Sequence, residues 1–185
     1  MKKINEPDDP ASDSQLSHSN SVLETFFIHS LQEMYYAENA ISVEFGMIKD
    51  QIVSSKLNQI LNTHFDILLN HQERLEKIFQ LRNETIESRT CETFNALLSE
   101  GKKHLSVFTH DIVNWEIALI LVSQKLTHYK IASYGGLAHL AIKLNYYKAA
   151  TLLAISVQEE EEFITNNLDG IIDAFLASHV EGYKN

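Results

Sequence analysis

The sequence predicts an all-α fold, an antiparallel four-helix bundle with a short extra helix in its long crossover. Three observations carry this. Both prolines fall in the first ten residues and only 6 glycines occur in 185, so little interrupts long helices. Apolar side chains recur at three- and four-residue steps over four long stretches. No stretch shows the two-residue alternation of a strand with comparable strength. The formal net charge of −10 disfavours nucleic acid and anionic membranes as partners. No run approaches the roughly 20 apolar residues of a membrane span. The two N-terminal lysines lack the apolar run of a secretory signal. The single cysteine, Cys91, allows no internal disulfide and fits a reducing cytoplasm, as a buried small hydrophobe.

Residues 1–20 are polar and aperiodic and read as a mobile tail. Ser19, Asn20 and Ser21 offer N-caps for a first helix over residues 22–49. Its stripe is Phe27, Leu31, Met34, Ile41, Phe45 and Ile48, broken by a carboxylate, Glu38. Ser54 or Ser55 caps a second helix that ends near Leu81. Its seam is Leu57, Leu61, His64, Leu68, His71, Leu75 and Ile78, with the two histidines two turns apart, about 10 Å along the axis.

A polar loop over residues 83–89 leads to a shorter crossover helix over 91–107, with Phe94, Leu97, Leu98 and Leu105 inward. A third long helix is capped by Asp111 and runs to about Tyr134, with Glu116 or Ile117, Ile120, Gln124, Thr127, Ile131 and Tyr134 inward. Gly135-Gly136 marks a kink or break, and Asn145 suits the left-handed residue that ends the element. The last helix covers residues 146–177, its stripe of Ala150, Leu153, Val157, Ile164, Leu168, Ile171 and Phe175 broken by Glu160. The bundle domain thus spans residues 21–178, with a short tail over 179–185. A long connection between the second and third helices is the ferritin-like arrangement.

An ionised carboxylate in an apolar interior must be paired, coordinated or protonated. Glu38 and Glu160 therefore need partners, and His64 and His71, with Thr127 and His128, lie at comparable depth. Carboxylates and imidazoles from facing helices are how such bundles hold iron or manganese. The competing reading is a satisfied polar seam without metal. The run Glu159–Glu162 sweeps all sides of a helix, so only one or two of its members point inward, and Glu159 and Glu160 are interchangeable at this level. Lys125, Lys130 and Lys143 read as surface charges. No phosphate loop, dinucleotide fingerprint, GxSxG or HExxH occurs.

The segment QKLTHYKIASYG at 124–135 is close to QKxEHYEIAxYG, a pattern of the YciE/YciF group of bacterial ferritin-like proteins, which the chain resembles over about residues 26–171. FFIHSLQEMYYAENA at 26–40, ERLEKIF at 73–79, NYYKAATLL at 145–153 and EEE at 159–161 support the resemblance, as does the position of Cys91. It implies a stress-associated protein of unsettled activity, a five-helix bundle able to form homodimers, and a dinuclear metal centre. Under it Glu38, His64, His128, Glu159 and Glu160 match the family's site positions. The departures thin that site: an acid of the second helix becomes Ile67, both acids flanking the His-Tyr pair become Thr127 and Lys130, and an acid of the last helix becomes Ile164.

The expectation is a reduced or vestigial centre built from Glu38, His64, His71 and Glu160 with His128, in a protein acting through interactions more than turnover. Lys130, if turned inward, could neutralise the remaining carboxylates. The alternative is an active carboxylate-bridged di-iron or di-manganese protein that oxidises ferrous iron or handles peroxide, with Glu38 and Glu160 as ligands. A scaffold with no site at all, its seam acids paired with lysine or histidine, is the third reading.

Overall fold

A computed structural model describes the backbone of residues 10–182 and the side chains of residues 21–177. Residues 1–9 and 183–185, parts of the two expected tails, lie outside the described residues. Helix α1 (Pro10–Ile48) begins earlier than expected, so the chain is helical over residues 10–20. Proline costs nothing in a first turn, and no glycine or proline follows until Gly46. A 3₁₀ turn (Lys49–Gln51) leads to α2 (Ser55–Arg82), whose N-cap Ser54 accepts from the Leu57 amide at 3.2 Å. Asn83, with φ 54°, ends α2 in the left-handed region.

Cys91 is the N-cap of α3 (Glu92–Val107). Asp111 caps α4 (Ile112–Lys143), accepting from the Asn114 amide at 3.2 Å. No break occurs at Gly135-Gly136, and neither glycine has a positive φ. Tyr134, Leu137, Ala138 and Ala141 are all buried on one face, and that burial outweighs the roughly 1 kcal/mol each glycine costs a helix. The turn comes instead at Asn145, φ 62°. Helix α5 (Tyr147–Phe163), a π-turn (Ile164–Leu168) and α6 (Asp169–Gly182) form one continuous rod, so the short tail expected from residue 179 is helical through Gly182. The wider turn places both Phe163 and Ile164 in the core.

One apolar cluster joins the middle of α1, the ends of α2 and α4 and the start of α5: Phe27, Leu31, Ile78, Phe79, Leu137 and Leu153. A second joins the opposite end through Leu57, Leu61, Trp115, Ile120, Phe163 and Leu168. Neighbouring helices are therefore antiparallel, and α3 travels the length of the bundle from the end of α2 to the start of α4. Its Lys102 pairs with Glu44 of α1 at 2.5 Å, and Tyr36 of α1 donates to Asn95 at 2.5 Å. At the α1–α2 corner buried Glu116 accepts from the Val53 and Ser54 amides, both at 2.7 Å, satisfying donors a loop would otherwise leave bare. Among the described residues no helix is long and apolar enough to cross a membrane.

Candidate functional site

Between the two apolar clusters lies a polar layer to which each long helix contributes. Helix α1 supplies Glu38, α2 supplies His64, His71 and Arg74, α4 supplies Thr127, Lys130 and Tyr134, and α5 supplies Glu159 and Glu160. Glu38, His71, Lys130, Tyr134 and Glu160 are wholly buried. The four-residue steps that put leucines in the seam put these groups there too, one or two turns further along.

The layer is organised around an ammonium group. Lys130 Nζ lies 2.5 Å from Glu160 Oε1 and 3.0 Å from Glu38 Oε2. The contact to Glu38 Oε2 lies off the hydrogen-bonding direction and is held by charge. Tyr134 donates to Glu38 Oε1 at 2.6 Å. His71 Nδ1 stands 3.1 Å from Glu38 Oε1 and 3.4 Å from Glu160 Oε1, while its Nε2 faces Glu159 Oε2 at 3.2 Å. Both ring nitrogens thus face carboxylates. His64 Nε2 donates to Glu160, 3.0 Å to Oε2, and its ring stacks on Phe163 at 3.8 Å. Arg74 grips Glu159 with both terminal nitrogens, at 2.5 and 2.6 Å.

The electrostatics follow from burial against charge. Burial pushes the Glu38 carboxyl up, but the Lys130 charge and the His71 hydrogen bond outweigh it and hold it below the ordinary carboxylate value. Glu160 behaves alike: burial opposes ionisation, and Lys130 with His64 carries it well below its usual value. Burial would lower Lys130, yet the charges of Glu160 and Glu38 hold it above an ordinary lysine. Burial keeps His64 below its ordinary value despite Glu160. Burial and the adjacent Glu38 charge push the Tyr134 phenol well up, so it stays protonated and donates to Glu38. The centre is thus an ionised cluster: an ammonium and two carboxylates, with His64 neutral.

The structure brings together Glu38, His64, His71, Glu159 and Glu160. Glu160 is the buried member of the acidic pair, while Glu159 lies nearer the rim and joins through His71 and Arg74. His128 does not join. It is exposed on the outer face of α4, because one residue on from buried Thr127 a helix has turned about 100°. Lys130, expected on the surface, is 0 % exposed. The α4 seam runs Thr127–Lys130–Tyr134 in steps of three and four, and takes Lys130 rather than Ile131. That spacing was the available signal. Nothing local marked Arg74, and although the helical spacing offered Glu116 as an inward residue, its partners at Val53 and Ser54 lie far away in sequence.

A metal fits this arrangement poorly. One ammonium nitrogen touches both Glu38 and Glu160, so the carboxylates stand close enough to share an ion, but the position between them is filled by Lys130. Among the described residues no group of three or more histidine, cysteine, aspartate or glutamate side chains is arranged to hold a metal ion. Thr127, at a position of the family pattern's acids, has a buried hydroxyl with no hydrogen-bond partner.

Comparison with known proteins places this geometry in a family. Residues 22–179 match the family model described as a domain of unknown function, DUF892. The chain is 32% identical over 140 residues to Protein YciF of Escherichia coli strain K12, covering 75% of this chain and 84% of that protein. It superposes on the crystal structure of the E. coli stress protein YciF with a TM-score of 0.77 at 29% identity, covering 84% of this chain and 97% of the other. YcfI of Rhodopseudomonas palustris matches with a TM-score of 0.75 at 25% identity over 80% of this chain and 92% of that one. On its fold and these matches, the chain belongs to the YciE/YciF family of ferritin-like helical bundles, the DUF892 family.

Proposed function

We propose that this chain is a stress-associated helical protein whose metal centre is vestigial, acting through interactions more than through turnover. The observation that carries the reading is Lys130, fully buried and within 3.0 Å of both Glu38 and Glu160. A fixed positive charge there does electrostatically what a cation does in a bundle of this kind, and a second cation beside it is repelled. On this reading neither iron nor manganese is a resident cofactor. The association with stress is taken from the E. coli relative, which is called a stress protein. The cytoplasm is the proposed compartment, on the strength of the lone cysteine.

The proposed partner is a second copy of the chain. Support comes from an apolar groove between α1 and α4, lined by Leu23, Phe26, Leu137 and Leu140, in which Phe26 is 60% exposed. Sedimentation is expected to give a dimer that Phe26→Asp dissociates, and a monomer at micromolar concentration refutes it. Metal analysis of the full chain, purified without chelator or affinity tag, tests the main reading. Iron and manganese are expected well below one equivalent per chain, with no thermal stabilisation by ferrous or manganous ions. Near two equivalents of either metal would instead establish the active carboxylate-bridged alternative.

A further inference from the structure

Where α3 packs on α4, Gly101 sits close against Val122: a Cβ there would meet Val122 Cγ1 at 2.7 Å. Beside that contact the helices separate and leave a cavity of about 100 Å³. Its walls are aliphatic and aromatic, chiefly Ile41, Phe45, Leu68, Leu98, Leu105 and Leu126. Most of its polar side-chain groups are already committed. Lys102 and Glu44 pair with each other at 2.5 Å, and Ser123 donates to the Leu119 carbonyl at 2.8 Å.

His64 is the exception. Its Nε2 faces Glu160, 3.0 and 3.2 Å from the two carboxylate oxygens. Burial keeps His64 neutral and a carboxylate only accepts, so its one ring proton sits on Nε2 and Nδ1 presents a lone pair. Among the described residues Nδ1 has no hydrogen-bond partner, and it is not sealed from solvent. The cavity is an opening that His64 lines.

We propose that this cavity is a binding site for a small neutral phenol, whose ring fills the apolar walls and whose hydroxyl donates to His64 Nδ1. The chemistry selects that class. The lone pair repels a carboxylate, and Glu160 and Glu44 add negative potential. A plain hydrocarbon leaves the acceptor without a partner once the cavity's water is displaced. The cavity's roughly 100 Å³ is smaller than the engineered apolar cavity of about 150 Å³ that takes up benzene, which limits the ligand to a single ring reaching toward the open side. This inference is independent of the metal content of the polar layer, because His64 faces Glu160 through its other nitrogen.

The test is calorimetric or ligand-observed NMR titration of the full chain with phenol, toluene and benzoate. Phenol is expected to bind at millimolar concentration or below and toluene about fivefold more weakly, the factor one neutral hydrogen bond gives, with benzoate not binding. Leu98→Trp, which fills the cavity, is expected to abolish phenol binding with helical circular dichroism unchanged. Equal affinity for phenol and toluene, preferential binding of benzoate, no phenol binding at millimolar concentration, or phenol binding that survives in folded Leu98→Trp overturns the proposal. The phenol-to-toluene ratio is read on the unaltered chain, so the proposal stays falsifiable if the variant fails to fold.

Discussion

Replacing Lys130 by Met keeps most of the side chain's length and removes its charge. At an effective permittivity of about 20, unit charges 3 Å apart attract by roughly 6 kcal/mol. Lys130 has two such partners, at 2.5 and 3.0 Å, and it also offsets their mutual repulsion. Against this stands the several kcal/mol cost of burying the ammonium itself. Breaking a buried ion cluster by removing one member costs about 3–5 kcal/mol, because an uncompensated charge stays behind. For a domain of this size that is a loss of roughly 10 °C in melting temperature. Urea unfolding at neutral pH, followed by circular dichroism and by the fluorescence of buried Trp115, measures it. Glu160→Gln added to Lys130→Met is expected to recover about 2 kcal/mol, since one of the two stranded carboxylates is then gone while Glu38 keeps Tyr134 and His71. If Lys130→Met lies within about 1 kcal/mol of the parent, or the second substitution makes matters worse, the ammonium is not what balances the layer.

Three further outcomes are expected. Lys130→Glu removes the fixed cation and restores an acid at that position, so manganous or cobaltous ions are expected to raise its melting temperature while leaving the parent unchanged. Acid is expected to destabilise the fold in two stages. The lowered His64 value makes its stabilisation complete above about pH 6.5 and lost as pH falls below it, because the unfolded chain takes up the proton first. The lowered Glu38 and Glu160 values add a second loss below about pH 4, and a melting curve against pH that rises on acidification contradicts both. Thr127→Val removes a buried hydroxyl without a partner and is expected to be neutral or stabilising by up to about 1 kcal/mol, whereas a clear loss of stability in urea points to an unrecognised partner.

The helices and their buried faces were legible because periodicity is a local property. Every residue expected in the α2 seam, from Leu57 to Ile78, is buried, and both histidines on it reach the centre. The caps at Ser54 and Asp111 were legible for the same reason. Gly135-Gly136 misled, because helix propensity is a weak term beside the burial of Tyr134 and Leu137 on the same face. Lys130 misled differently. Lysine is almost never fully buried alone, and what buries it here is a pair of carboxylates 92 and 30 residues away in sequence. His128 matches the family's motif yet is exposed, since motif identity does not fix which way a residue turns. The π-turn after Phe163 has no sequence signature at all.

The polar layer also acts as an alignment key. The apolar halves on either side are built from leucine, isoleucine, phenylalanine and alanine, and surfaces of that kind pack almost as well when one helix slides by a turn. Such a slide moves a side chain about 5.4 Å along the axis. For α4 it would carry Lys130 away from Glu38 and Glu160 together and strand three buried charges in one step. Matching charge therefore favours one height for each helix over its neighbours a turn away. A layer of this kind can outlive the chemistry it came from, because losing it would leave the bundle cohesive but without a unique vertical setting.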